Sequence, residues 1–419
     1  MNIEQLFSAA LGIVDPWYIK SVNFNSDQKK LDIEVDFKRG SEFKDDSVNG
    51  DSKTYKAYDA IKKTWRHLNF FEHECYLHCR TPRIKTDEGT TKLIMPPWSG
   101  IMNGFTLLFE ALIINLAKQM AVNNVADLLK ISDDKIWSML DIYTHAARFN
   151  DDYSGIEVVG IDETSIARGH KYISLFVDLH KKKTIFITTG KDSQTVADFS
   201  LDLIQHNGSP EQIKEVSCDM SPAFIKGVTA ELANAKITFD KFHILKIINE
   251  AVDQVRRTEA MTNPLLKKTL KNTRYIFLKN DVNLTQKEKV KKAELSMSSL
   301  NLKSMKAMQI RENFQQIYCA DNIAEFEYFL DEWYSWTIRS RLEPMIKAAK
   351  TIKNHWAGII RWKISQINNG ILEGLNSVLQ SAKRKARGYG EKHFKTIAYL
   401  MTGKLDFSVV NKYCLPTGF

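Results

Sequence analysis

The chain has 419 residues, with 59 Lys and Arg against 50 Asp and Glu, a formal net charge of +9, 43% hydrophobic and 26% charged residues. This is the profile of a soluble globular protein long enough for roughly two to four domains, and its basic excess favours a polyanionic partner. No apolar run approaches the roughly 18 residues of a membrane span, the first residues lack the marks of a secretory signal, and five scattered cysteines do not suggest a disulfide framework.

Residues 17–38 alternate apolar and polar side chains about Asn25-Ser26-Asp27, the pattern of a β-hairpin. Residues 39–56 are polar and poor in core side chains and read as a loop. Trp65-Arg66-His67-Leu68-Asn69-Phe70-Phe71 and Glu74-Cys75-Tyr76-Leu77-His78-Cys79 read as further strands. Together they predict a small β-rich module ending near Pro96-Pro97. From Phe105 to Arg148 the period becomes helical, with Phe105, Leu108, Leu112, Ile113 and Leu116 at three- and four-residue steps. Residues 122–129 and 133–140 then form two short helices broken at Lys130-Ile131-Ser132, with Ser132 placed to cap the second. Such a pair predicts a helix-turn-helix, whose recognition helix would bring Asp133 to Ser138, with Lys135 and Trp137 among them, to DNA bases.

From residue 156 the pattern turns to strands near 156–161, 171–179 and 183–189. A helix from Ser193 to Gln205, a strand at 213–218, a helix from Pro222 to Leu232 and a strand at 235–239 follow. This β-β-β-α-β-α-β order predicts an RNase H-like domain, a mixed sheet with helices packed on it. Residues 243–355 read as helical throughout, an insertion that splits the domain before Glu373.

Three acidic residues stand out. Asp162 ends the run from Ile156 to Ile161. Asp219 ends the run from Ile213 to Cys218 and is followed by Met220-Ser221-Pro222. Glu373 opens the helical stretch 371–380. Each alone is an ordinary acid at the end of an element. In this order they are the ligand set expected of a site for two Mg²⁺ ions about 4 Å apart, which moves phosphoryl groups between oxygen nucleophiles. Arg168 or His170, near Asp162, is placed to face a phosphate or simply to lie in a solvated turn. His243, behind Asp240, points to the metal site or the DNA, or is a core histidine beside a helix cap. Lys383, Arg384, Lys385 and Arg387 run into Tyr389, and basic residues beside an aromatic suit phosphate contacts. Cys75 and Cys79 have the spacing of half a zinc site, but four residues along a strand is too far to share one ion easily.

Several stretches are shared with a known family. They are Thr64-Trp65-Arg66-His67-Leu68-Asn69-Phe70-Phe71, Gly160-Ile161-Asp162-Glu163-Thr164-Ser165, Cys218-Asp219-Met220-Ser221-Pro222-Ala223-Phe224, Thr238-Phe239-Asp240-Lys241-Phe242-His243, Leu372-Glu373-Gly374-Leu375-Asn376-Ser377 and Ala386-Arg387-Gly388-Tyr389. In these, from about residue 30 to 400, the chain resembles the transposases of the ISL-three group of bacterial insertion sequences, which are DDE-type enzymes. The resemblance implies that Asp162, Asp219 and Glu373 are the catalytic triad, with a helical insertion between the second and third. The family usually carries a zinc module whose cysteine pairs flank the Trp-Arg-His-Leu segment. Here residues 43–50 and 83–89 hold no cysteine, so the module is expected to fold without zinc.

The expectation is thus a multidomain α+β protein. A β-rich, zinc-ribbon-like module spans residues 1–97, a helix-turn-helix 98–150, an RNase H-like catalytic domain 151–402 and a tail 403–419. The expected activity is cleavage and strand transfer at the terminal inverted repeats of an insertion sequence, dependent on Mg²⁺ or Mn²⁺. The expected partners are double-stranded DNA and further copies of the chain, a homodimer or higher on DNA, at the nucleoid in a bacterial cytoplasm and away from membranes. A structure-selective nuclease and a non-catalytic DNA-binding descendant of a transposase remain the alternatives.

Overall fold

The computed structural model describes residues 2–44, 53–102, 104–167, 171–297, 300–367 and 370–414. Arg168 and His170, and residues 45–50 of the segment searched for zinc ligands, lie outside them. The chain forms two units, one of Met1–Asp151 with Ser381–Phe419 and one of Asp152–Gln380. The carboxy-terminal boundary therefore falls earlier than the expected 402, inside a helix.

In the first unit, helix α1 (Ile3–Leu11) opens on an Asn2 cap that exchanges hydrogen bonds with Gln5. Strands β1 (Trp17–Asn25) and β2 (Lys30–Phe37) form the expected hairpin. Then come β3 (Glu42–Lys44), β4 (Thr54–Phe70), β5 (His73–Lys85) and β6 (Thr91–Leu93). The sheet order is β1-β2-β5-β4-β3, with β6 on β5. Pairs such as Leu31 with Cys75, Ile33 with Leu77 and Val35 with Cys79 set one apolar face over a core that includes Trp17 and Trp65. Part of the expected loop at 39–56 is strand instead. Antiparallel pairing with β5 satisfies the backbone of β4 along most of its length, and β3 pairs on the other edge.

Helices α2 (Leu107–Gln119), α3 (Val122–Leu129) and α4 (Asp133–Phe149) follow. The turn between α3 and α4 passes through Lys130 in the left-handed region, φ 53°. Ser132 does sit at the N-cap of α4, but its side chain makes no capping bond. The tail packs into this unit. Asn411 donates to the Leu107 carbonyl and to the Tyr143 hydroxyl, each at 2.9 Å. Glu110, fully buried, accepts from the Tyr143 hydroxyl at 2.5 Å and from the backbone of Ile101 and Met102.

The second unit carries β7 (Val158–Ala167), β8 (Lys171–Asp178), β9 (Lys183–Thr189), α5 (Gln194–Gln205), β10 (Glu215–Cys218), α6 (Pro222–Glu231) and β11 (Lys236–Phe239). Their five-stranded mixed sheet has the order β11-β10-β7-β8-β9, with β10 parallel to both neighbours and β8 antiparallel to β7 and β9. Helix α7 (Lys241–Thr262) leads into α8 (Pro264–Thr269), α9 (Arg274–Leu278), α10 (Gln286–Leu295), α11 (Lys303–Ile317), α12 (Ile323–Ile338) and α13 (Glu343–Asn354). These share one core with the sheet, in which Ile248, Phe314 and Trp333 are continuous with Val159, Phe199 and Val216. Helix α14 (Trp356–Ser365) returns to the sheet at Gly358, where an added Cβ would collide with the Phe239 ring. Helices α15 (Gly370–Lys385) and α16 (Glu391–Thr402) complete the chain. No described helix is long and apolar enough to cross a membrane.

His67 gives the first unit a pH dependence. Its ring bonds the Thr106 hydroxyl at 2.9 Å, and Thr106 caps α2. Burial, with the Arg66 charge adding to it, holds the His67 pKa at about 4, against an ordinary 6.5. The unfolded chain therefore takes up this proton first as pH falls. The stability tied to neutral His67 is complete above about pH 6.5 and is lost towards pH 4, up to about 3 kcal/mol. Urea unfolding across that range should show the loss in the native protein and a flatter profile in His67→Gln.

Candidate active site

The end of the five-stranded sheet is fixed by register. Ser217 of β10 pairs with Gly160 of β7, and Cys218 with Phe239 of β11. Continued to the next positions, that register sets Asp219 beside Asp162 on one side and beside Asp240 on the other. The Asp240 amide bonds the Cys218 carbonyl at 3.1 Å, which holds the alignment past the strand ends. Neighbouring strands run about 4.8 Å apart, so three aspartates stand abreast. Asp162 is not at a strand end, as the sequence suggested. Strand β7 continues to Ala167 because β8 pairs with it on the far side; what ends there is its parallel neighbour β10.

The electrostatics follow. Burial, with the Asp240 and Asp219 charges adding to it, lifts the Asp162 pKa to about 6, against the opposing pull of the Glu163 amide and of His243. The amide of Glu163 bonds Asp162 Oδ1 at 2.8 Å. Burial and the Asp219 charge also raise the Glu163 carboxyl. Asp240 caps α7 through the Phe242 amide and accepts from His243 Nδ1 at 2.9 Å, and this bond raises the His243 pKa. Asp219 accepts from the Ser221 amide at 2.9 Å, which fixes the turn into α6.

Helix α15 lies on the Asp162 face of β7. Leu372 packs on Gly160, where a Cβ would stand 3.0 Å from its methyl carbons. Asn376 Nδ2 donates to Asp162 Oδ2 at 2.5 Å, and Gln380 Nε2 donates to the Thr164 hydroxyl at 2.8 Å. Four residues along a helix advance about 6 Å and two along a strand about 6.6 Å. The pairs 372/160, 376/162 and 380/164 therefore keep in step. Sequence reasoning missed this stripe; its signal was the four-residue spacing of Leu372, Asn376 and Gln380, and the glycine two places before Asp162.

Glu373 follows Leu372 around the helix, one turn ahead of Asn376, and is exposed. The structure thus joins Asp162 to Asp219 and puts the helix of Glu373 on their face, without bringing the Glu373 carboxylate against them. Among the described residues, no three His, Cys, Asp or Glu side chains are already arranged to hold a metal ion. The donor set still fits a hard divalent cation. It is made of oxygens, its carboxylates crowd one another, and the buried Asn376 Oδ1 beside Asp162 has no partner. Cys75 and Cys79 lie in the core of the amino-terminal sheet, where burial pushes both thiols up to about 12.

Of the residues expected to meet DNA, Lys135 is exposed on α4. Trp137 is not free to read bases. Only 6% exposed, its ring stacks on His393 at 3.9 Å and 3° and meets the edge of Tyr389 at 5.6 Å. It is drawn inward because the residues on either side of its turn, Ile136, Met139 and Leu140, form the buried stripe of α4. Lys383, Arg384, Lys385 and Arg387 belong to the unit of the helix-turn-helix.

A helix-turn-helix unit and a mixed sheet with an acidic end are the make-up of a DNA-binding protein. Residues 103–143 match the helix-turn-helix domain of transposase family ISL3, and residues 159–398 match the transposase domain of that family. The chain belongs to the ISL3 family of transposases. It is similar to the transposase for insertion sequence element IS1001 of Bordetella parapertussis, 25% identical over 346 residues that cover 81% of this chain and 84% of that one. It is also similar to the transposase for insertion sequence element IS1557 of Mycobacterium tuberculosis, 23% identical over 417 residues and 93% of each chain.

The α15–β7 contact is testable as structure. Replacing Asn376 and Gln380 together by Ala removes the hydrogen bonds that key the helix to the strand. Urea unfolding should show a loss of about 1–3 kcal/mol, and more than either single change.

Proposed function

We propose that the protein binds the terminal inverted repeats of an insertion sequence and catalyses divalent-metal-dependent cleavage and strand transfer there, on an RNase H-like catalytic unit. The observation that carries this reading is the register that sets Asp219 beside Asp162, with α15 and Glu373 on the same face. Family membership supports it. In this reading residues 1–97 and 98–150 serve end binding, the expected domain 151–402 holds the chemistry in its part up to Gln380, around the helical insertion 243–355, and 403–419 is the tail. The protein would act as a homodimer or larger assembly on DNA in the bacterial cytoplasm.

Asp162, Asp219 and Glu373 would hold the metal. When bound, Mg²⁺ or Mn²⁺, as two ions, supplies activation of the attacking water or 3′-hydroxyl and neutralises the charge developing on the phosphate. The chain's own residues supply position. Asn376 holds one Asp162 oxygen and the Glu163 amide the other, so the carboxylate keeps a single orientation. Exposed Glu373 needs only a side-chain rotation on a fixed helix, because residues three apart on a helix face have Cβ atoms about 5–6 Å apart and Asn376 already touches Asp162. His243, oriented by Asp240, stands among the groups that act on the Asp162 carboxylate. No covalent link between protein and DNA is required.

Single changes Asp162→Asn, Asp219→Asn and Glu373→Gln should each reduce Mg²⁺-dependent cleavage of an element-end duplex at least about a thousandfold, a loss of about 4 kcal/mol in transition-state stabilisation. Affinity for the same duplex in the absence of divalent ions should change less than about threefold. Joining of the freed 3′-end to a second duplex separates transposition from simple nuclease action. A Glu373→Gln protein that cleaves at the native rate would remove Glu373 from the site.

A further inference from the structure

The helix-turn-helix is short of positive charge. From Leu107 to Phe149 it carries four cations, Lys118, Lys130, Lys135 and Arg148, against five carboxylates, Glu110, Asp127, Asp133, Asp134 and Asp141. Three of those cations are engaged. Lys118 lies over the Phe407 ring, Lys130 pairs with Glu74 at 3.6 Å, and Arg148 lies over Tyr399. Lys135 is the cation of these helices without a protein partner among the described residues. Recognition helices of this type draw a large share of their affinity from phosphate contacts, and α4 even opens on Asp133 and Asp134.

The missing charge stands next to it. After α15 the chain turns at Arg387 and Gly388, φ 57° and 113°, and then docks on α4. His393 stacks on Trp137, Tyr389 meets the same ring edge-on, and Asp141 takes Lys392 at 2.5 Å and the Thr396 hydroxyl at 2.6 Å. At the other end of the turn, Lys385 Nζ reaches the Gln119 carbonyl at 3.3 Å, where α2 ends. Arg384, just before the first anchor, and Arg387, between the two, are exposed, and neither side chain has a partner among the described residues. Arg387 holds a left-handed backbone conformation that glycine or asparagine would adopt more easily, so its side chain is not there to suit the turn.

We propose that residues 383–393 form a phosphate-binding arm of the helix-turn-helix, with Trp137 as its docking platform, so that Arg384 and Arg387 grip the backbone of the duplex read by α4. The inference rests on the reading of the chain as a binder of duplex DNA and not on its cleavage chemistry. It assigns the basic cluster to the recognition unit, and it changes the role of Trp137 from base reader to anchor.

The test is equilibrium binding of the full chain, without divalent ions, to an element-end duplex of about three helical turns, roughly 30 base pairs, and to a shuffled duplex of the same length, across a range of salt. Each lost phosphate contact lowers the slope of log affinity against log salt by about 0.9. Arg384→Gln with Arg387→Gln should flatten the slope by about two units on both duplexes, with an unchanged melting temperature. His393→Ala removes none of these arginines but frees the arm, and should weaken element-end binding about tenfold. The slope change should persist on a duplex trimmed of the cleavage site. A double variant with the native slope would overturn the proposal, as would a slope change that vanishes on the trimmed duplex, which would put the cluster at the cleaved strand instead. Failure of the native protein to cleave the untrimmed duplex with Mg²⁺ would count against the catalytic reading and leave these outcomes as informative as before.

Discussion

Carboxylates one strand spacing apart repel, and a sheet that sets them abreast must hold them there by other forces. In this protein the holding force is the parallel hydrogen-bond ladder of β7, β10 and β11, buried beneath Val159, Ile161, Val216 and Phe239. The ladder leaves Asp162, Asp219 and Asp240 no freedom to separate along the strands. Asp162 bears the cost: burial and its neighbours raise its pKa to about 6. A divalent cation relieves that crowding better than any side chain nearby. The Glu163 amide and His243 both favour the charged form of Asp162, and Asp240 holds His243 in place.

The same constraint explains the surrounding architecture. A helix reaches Asp162 only where the strand lets it approach, and Gly160 provides that place for Leu372. Once seated, α15 is locked in phase with β7 by Asn376 and Gln380. The helical insertion separates β11 from α14 in sequence yet shares the core of the sheet. The strand order can therefore tolerate so long an interruption without losing the position of the last helix.

Much of this was legible in the sequence because it is local. Alternation gave the hairpin at 17–38, the change of period at Phe105 marked the helices, and short apolar runs located β8, β9, β10 and β11. What was hidden depends on partners far along the chain. The start of β4, Thr54 to Lys56, belongs to the polar run 39–56 that reads as a loop until β3 is there to pair with it. Trp137 looks like a recognition residue on a short helix; only the return of the chain at Tyr389 and His393 shows its ring to be covered. In the acidic site, Asp162 and Asp219 were legible as acids after short apolar runs, but their alignment needed the parallel pairing of β7 with β10. The Asn376 contact needed the helix and the strand in one frame, and so did the exposure of Glu373.

The central claim is that Asp162, Asp219 and Glu373 share bound metal. Substituting Fe²⁺ for Mg²⁺ and generating hydroxyl radicals at the ion cuts the polypeptide beside the ion's ligands, and the fragments can be mapped by mass spectrometry. The account predicts cuts clustered near residues 162, 219 and 373, all suppressed by excess Mg²⁺ and all lost in Asp162→Asn. Cuts near 162 and 219 without any near 373, or cuts centred elsewhere in the chain, would contradict it.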